Sequence, residues 1–203
     1  MSANAAKVNK RVLILGAMVL LAPLTGCLTT PVSSMIKLSR ITPLDANPAE
    51  MRFAVRSPNF LRVRSGDINV TISFDTGDAA TSILETYLPV VDENALPGQG
   101  ISIAAQDGSR LAIAQFSVDD AASMASVQKR VKELRAKGVE GQGSFSVGAT
   151  GCSQGPVPGG PVLLTTWLRT EPTQDYFILT RNTDLRKVLQ QSGQKMSNLP
   201  SCS

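Results

Sequence analysis

Between residues 68 and 75 the chain alternates without a break: Ile68, Val70, Ile72 and Phe74 are apolar, while Asn69, Thr71, Ser73 and Asp75 are polar. Successive side chains of a strand point to opposite faces, so this run describes a strand with one buried and one wet face, the habit of antiparallel sheets. Neighbouring runs repeat the pattern. Met51, Phe53 and Val55 alternate with Arg52, Ala54 and Arg56, a turn follows at Ser57-Pro58-Asn59, and Leu61 and Val63 then alternate with Arg62 and Arg64 up to Gly66-Asp67. Further strands are expected at 84–91, at 145–149, at 162–169 after a Gly/Pro-rich loop at 151–161, and at 176–180. Pro89 marks the first of these as an edge strand. Residues 101–105 and 111–118 flank Asp107-Gly108, a short-range hairpin signal.

One long segment has a different period. Met124, Val127, Val131 and Leu134 recur at spacings of three and four, with Lys129, Arg130, Lys132, Arg135 and Lys137 on the other faces. Ser117 or Asp119 can cap this helix, Asp119 and Asp120 suit its first turn, and Gly138 can end it. A short final helix is expected after Asn182 or Thr183, with Leu185, Val188 and Leu189 facing inward and Gly193 as its stop. About eight strands with these two helices predict a mainly β fold: an Ig-like antiparallel β-sandwich with an amphipathic helix inserted at about 119–137 and a short C-terminal helix. The alternative is an α+β arrangement, a single antiparallel sheet with the long helix packed on one face.

The first 27 residues carry an address. Lys7, Lys10 and Arg11 precede an apolar stretch at 12–21, too short to span a bilayer as a helix, and then Leu24-Thr25-Gly26-Cys27. Leu24-Thr25-Gly26-Cys27 resembles the lipobox of bacterial lipoproteins. That resemblance implies a signal peptide at 1–26, cleavage before Cys27, diacylglycerol on the Cys27 sulfur and a further acyl chain such as palmitate on the new amino group. Each buried methylene contributes about 0.8 kcal/mol, and stable anchoring needs at least two chains, which one such residue supplies. By the sorting habit of the lipoproteins that this segment resembles, Leu28 after the cysteine, rather than Asp, favours the periplasmic face of the outer membrane over the inner membrane. The expected division is therefore signal peptide at 1–26, lipidated Cys27 and tether at 27–49, and a β-rich periplasmic domain at 50–203. Residues 28–203 carry no motif resembling a characterised family.

The leader holds three basic residues and no acidic one, so its removal lowers the formal net charge from +4 to +1. A nearly neutral domain gives no support for nucleic-acid binding. Lipidation also uses the odd cysteine. Cys152 and Cys202 are then an even pair in an oxidising compartment, expected to form a disulfide; two separate thiols are the alternative.

The chain has no histidine, which removes Ser-His-Asp and Cys-His catalysis and His-based zinc sites together. Gly151-Cys152-Ser153-Gln154-Gly155 matches the G-x-S-x-G string of hydrolases. A nucleophile elbow needs a following helix, and Pro156, Pro158 and Pro161 forbid one. Asp92-Glu93 lies in a loop, Asp119-Asp120 suits a helix start, and the acids after Asp75 lack calcium-loop spacing. No enzyme activity, cofactor or metal is expected. Arg52, Arg56, Arg62 and Arg64 are expected on the outward faces of two neighbouring strands, as a cationic patch for an anionic partner or as ordinary solvated charges. The expected function is a non-catalytic binding or assembly module of the cell envelope, held to the membrane by lipid and meeting an envelope protein; the alternative is a carrier or sensor of an apolar ligand.

Overall fold

A computed structural model describes residues 43–92 and 107–202. In chain order its strands are β1 (Arg52–Pro58), β2 (Leu61–Arg62), β3 (Ile68–Asp75), β4 (Ile83–Tyr87), β5 (Val90–Asp92), β6 (Ser109–Gln115), β7 (Gln142–Ala149), β8 (Cys152–Ser153), β9 (Leu163–Arg169) and β10 (Phe177–Asp184). Helix α1 (Val118–Ala136) joins β6 to β7, α2 (Leu185–Gln191) follows β10, and 3-10 turns lie at Pro48–Glu50 and Met196–Asn198. The strands make a five-stranded sheet in the order β10-β9-β1-β6-β5, a three-stranded sheet β4-β3-β7 and a two-stranded ribbon β2-β8. Every ladder between them is antiparallel. The fold is mainly β and sandwich-like, with the expected inserted and terminal helices, and the single-sheet alternative is set aside.

The alternation that predicts β3 becomes its burial pattern. Ile68, Val70, Ile72 and Phe74 are buried. On the wet face, Thr71 and Ser73 make cross-strand hydroxyl pairs with Thr86 at 3.0 Å and Ser144 at 2.7 Å. The buried face of this sheet meets Phe53, Val55, Leu168 and Phe177 of the five-stranded sheet in one core, to which α1 adds Ala121 and Met124. Farther along α1, Val131 packs against Phe74 and Ile83. Ser117 caps the helix by accepting from the Asp120 N–H, and Gly138, at φ +80°, ends it in the left-handed conformation that costs glycine least.

Several elements differ from expectation, each for a physical reason. The run 84–91 is two strands: Pro89 lacks the N–H a ladder needs, and there the chain leaves the three-stranded sheet for the edge of the five-stranded one. The final helix is capped by Asp184, whose carboxylate accepts from the N–H groups of Arg186 and Val162. Leu185 and Leu189 of α2 are buried, whereas Val188 is 43% exposed. The packed body begins by Pro43 rather than near residue 50. Gln128 is buried on α1 and needs acceptors, which the carbonyls of Pro43 and Ala46 supply at 2.7 and 2.9 Å. Lys132 adds an ion pair to Asp45 at 2.8 Å. The strand expected at 101–105 lies outside the described residues, as does Cys27.

Candidate functional site

The five-stranded sheet has a second face, turned away from the sandwich core. Because β1 alternates, Phe53 and Val55 enter the core while Arg52, Ala54 and Arg56 face the other way. The register places Ala54 opposite Trp167 of β9 and Ile113 of β6, with Ile178 of β10 opposite Trp167 in turn. The result is an apolar row, Ile178–Trp167–Ala54–Ile113, running across the sheet. Ala54, Ile113 and Trp167 are buried there, with Leu111, Tyr176 and Ile178 packed around them. The Arg56 guanidinium lies over the Trp167 ring, 5.3 Å from its centroid, so its aliphatic stem covers apolar surface while its charge stays at the rim.

One residue pair along the sheet, Arg52 faces Arg169 directly across β1 and β9. Arg169 stacks over Tyr176 at 5.0 Å, and its buried Nε–H has no acceptor among the described residues. Arg52 is held by its Nη1, which donates to the carbonyls of Ala49 at 2.9 Å and Met51 at 2.8 Å. Burial, and next the charge of Arg169, lower the Arg52 pKa. Burial raises the Tyr176 phenol above its ordinary value, with Arg169 and Arg52 acting in the opposite sense. Ion pairs of the described residues include Arg64–Asp67, Lys129–Glu133 and Lys132–Asp45, all away from this face. Arg52, Arg56 and Arg169 thus form a cationic, aromatic-backed face that can receive an anionic group.

This is a different set from the four arginines expected on two neighbouring strands. β2 pairs with β8, not with β1, so Arg62 lies opposite Cys152 in the ribbon. The chain turns out of the five-stranded sheet after Pro58, where the Asn59 N–H donates to the Gly108 carbonyl, and Leu61 is drawn into a separate cluster with Val162, Leu164 and Leu185. Arg64 is tied to Asp67, 3.3 Å from its carboxylate. Arg52 and Arg56 remain together on β1, and Trp167, Arg169 and Tyr176 join them from the far end of the sequence. The signal for two of these was present: Thr165, Trp167 and Arg169 share one face of a period-two strand.

Cys152 and Cys202 form a disulfide. Ser153 lies in β8, its hydroxyl donating to the Gly155 carbonyl and its backbone bonded to Pro200 and Cys202, so it stands in a ribbon rather than at a strand-to-helix elbow. Among the described residues no group of three or more His, Cys, Asp or Glu could hold a metal ion, and no helix is long and apolar enough to cross a membrane. An open cleft of about 150 Å³ lies between α1 and the three-stranded sheet, lined by Leu44, Phe74, Val131, Arg135 and Phe145. Comparison with protein-family models, with curated proteins and with solved structures gives no match to this chain.

Proposed function

We propose that this protein is a lipid-anchored component of the bacterial cell envelope, attached through Cys27, whose β-domain is a non-catalytic binding module. The observation that carries the binding role is the outer face of the five-stranded sheet, where Arg56 stands over Trp167, Arg169 over Tyr176, and Arg52 directly opposite Arg169. Arginine and large aromatics concentrate binding energy at interfaces because they join apolar area to directional donors. The apolar cleft beside α1, at about 150 Å³, suits a benzene-sized group rather than an acyl chain and so lends the carrier reading little support. The leader and lipobox supply the address.

Two measurements on the full-length protein test this. Cys27→Ser is expected to move the protein from the membrane fraction to the soluble fraction; a variant that still pellets with membranes contradicts the anchor. A photoreactive residue at Leu111, on the arginine face, is expected to give a discrete crosslinked envelope partner that Arg56→Glu abolishes. One at Leu84, exposed on the three-stranded sheet, is expected to give none. Equal crosslinking from both positions, or none from Leu111, removes the binding role from this face.

A further inference from the structure

We infer that Arg52, Arg169 and Tyr176 form an oxyanion site that takes the phosphate group of a phosphate ester or of a lipid headgroup. The inference deepens the proposed binding role and rests on the same face of the sheet. Its basis is an unpaid electrostatic arrangement. Two arginines stand directly opposite each other on adjacent strands, a placement that repels, and although the carboxylates of Glu50 and Asp92 act on Arg52, their effect is smaller than that of Arg169. One of them also buries an Nε–H with no acceptor among the described residues, which is costlier for a charged group than for a neutral one. Buried donors of native proteins are otherwise almost always matched, and each exception calls for an explanation, of which a bound ion is one.

An oxyanion between the two guanidiniums cancels their repulsion, and a small turn of the Arg169 guanidinium, whose Nε–H is closed to solvent as it stands, would bring that donor to it. Two bonds from Arg52 Nη1 to backbone carbonyls fix that side chain in place. The Arg169 guanidinium is oriented by its stacking on Tyr176. Two cationic forks match best the double charge and three free oxygens of a phosphate monoester; the diester phosphate of a headgroup offers one charge and two free oxygens, set tetrahedrally where those of a carboxylate lie in one plane with its carbon. The Tyr176 phenol, protonated at neutral pH in any case and pushed higher by burial, is a third donor beside the two arginines that act on it.

The test uses full-length protein in neutral detergent at constant ionic strength. Thermal unfolding is followed with inorganic phosphate against chloride, and binding with phosphatidylglycerol vesicles against phosphatidylcholine vesicles. Phosphate that raises the unfolding temperature identifies a soluble phosphate as sufficient; binding to phosphatidylglycerol vesicles alone identifies the headgroup as the source. Arg169→Gln and Arg52→Gln are each expected to weaken whichever binding is seen by about tenfold or more, and Arg64→Gln to leave it unchanged. Arg169→Gln is also expected to unfold at the same or a higher temperature than the native protein when no anion is present, because it removes a like-charge contact. That readout fails for an arginine that is merely structural. No effect of phosphate or of phosphatidylglycerol overturns the site, as does equal loss in Arg64→Gln or tighter binding of polyglutamate than of both. Failure here with crosslinking retained at Leu111 leaves the binding face and removes only the phosphate, whereas loss of both removes the face.

Discussion

Phe53→Ala is expected to lower the unfolding free energy by about 3–5 kcal/mol. Phe53 is wholly buried on β1, the central strand of the five-stranded sheet. Its ring meets Phe116 edge-on, at 5.1 Å between centroids and 79° between planes. Phe116 in turn meets Tyr87 at 5.5 Å and 76°. Tyr87 belongs to β4, so three rings link the two sheets at the point where α1 begins. Edge-to-face pairs contribute about 0.5–1.5 kcal/mol beyond the apolar area they bury, and truncation at Phe53 forfeits one pair and leaves a cavity beneath the other. Small domains hold about 5–15 kcal/mol in all, so this one change takes a large share of the reserve. Urea unfolding of the full-length protein in neutral detergent, followed by circular dichroism, gives the measurement. Leu84→Ala, on a side chain that is 71% exposed, is the comparison and is expected to stay within about 0.5 kcal/mol of the native protein. Equal effects at the two positions contradict the packing described.

The parts of this fold that could be read from sequence are those where the cause is local. β3 was legible because eight residues alternate without interruption, and α1 because its cap, its apolar stripe and its glycine stop all lie within one segment. What could not be read depends on partners far away in the chain. Nothing near Arg62 says that its strand pairs with Cys152–Ser153 ninety residues later rather than with β1 beside it, and that one pairing decides which arginines share a face. Arg52 could be placed on an outward face, but its opposition to Arg169 is a matter of register across β1 and β9. Ala54 shows the same limit in small. Alternation places it correctly with Arg52 and Arg56, yet it is buried, because Trp167 crosses from the next strand and Arg56 lies over that ring. Sequence period tells which residues share a side of a strand; only topology tells what the neighbouring strand brings to it.

Removing the Cys152–Cys202 disulfide is expected to cost up to about 4 kcal/mol, the loop-closure value for a crosslink across a loop of about 50 residues. The two cysteines are 50 residues apart, and the loop they close contains β9, β10 and α2. The bridge does not act alone. The C-terminal segment lies beside β8, with the Ser153 N–H donating to the Pro200 carbonyl at 2.8 Å and the Cys202 N–H to the Ser153 carbonyl at 2.9 Å. Met196 inserts into the small cluster of Leu61, Val162, Leu164, Leu185 and Leu189. Two backbone bonds to β8, a bond from the Gln194 N–H to the Leu189 carbonyl and the packing of Met196 and Leu199 are too few to hold a chain end against its conformational entropy, which costs about 1–2 kcal/mol for each residue ordered. In the Cys152→Ala/Cys202→Ala protein the segment 192–202 is therefore expected to open first, exposing Met196 and loosening α2, while α1 and the main sandwich keep their protection. Hydrogen exchange checks the order of opening, and urea unfolding of the variant and of the reduced native protein checks the size. The entropic account requires those two to agree closely, because both lack the same crosslink. An unchanged midpoint in either, or earlier loss of protection in α1 than in 192–202, contradicts it. Because β9 and β10 carry Trp167, Arg169 and the flank of Tyr176, loosening this loop is expected to weaken the arginine face as well, although no side chain of that face has been changed.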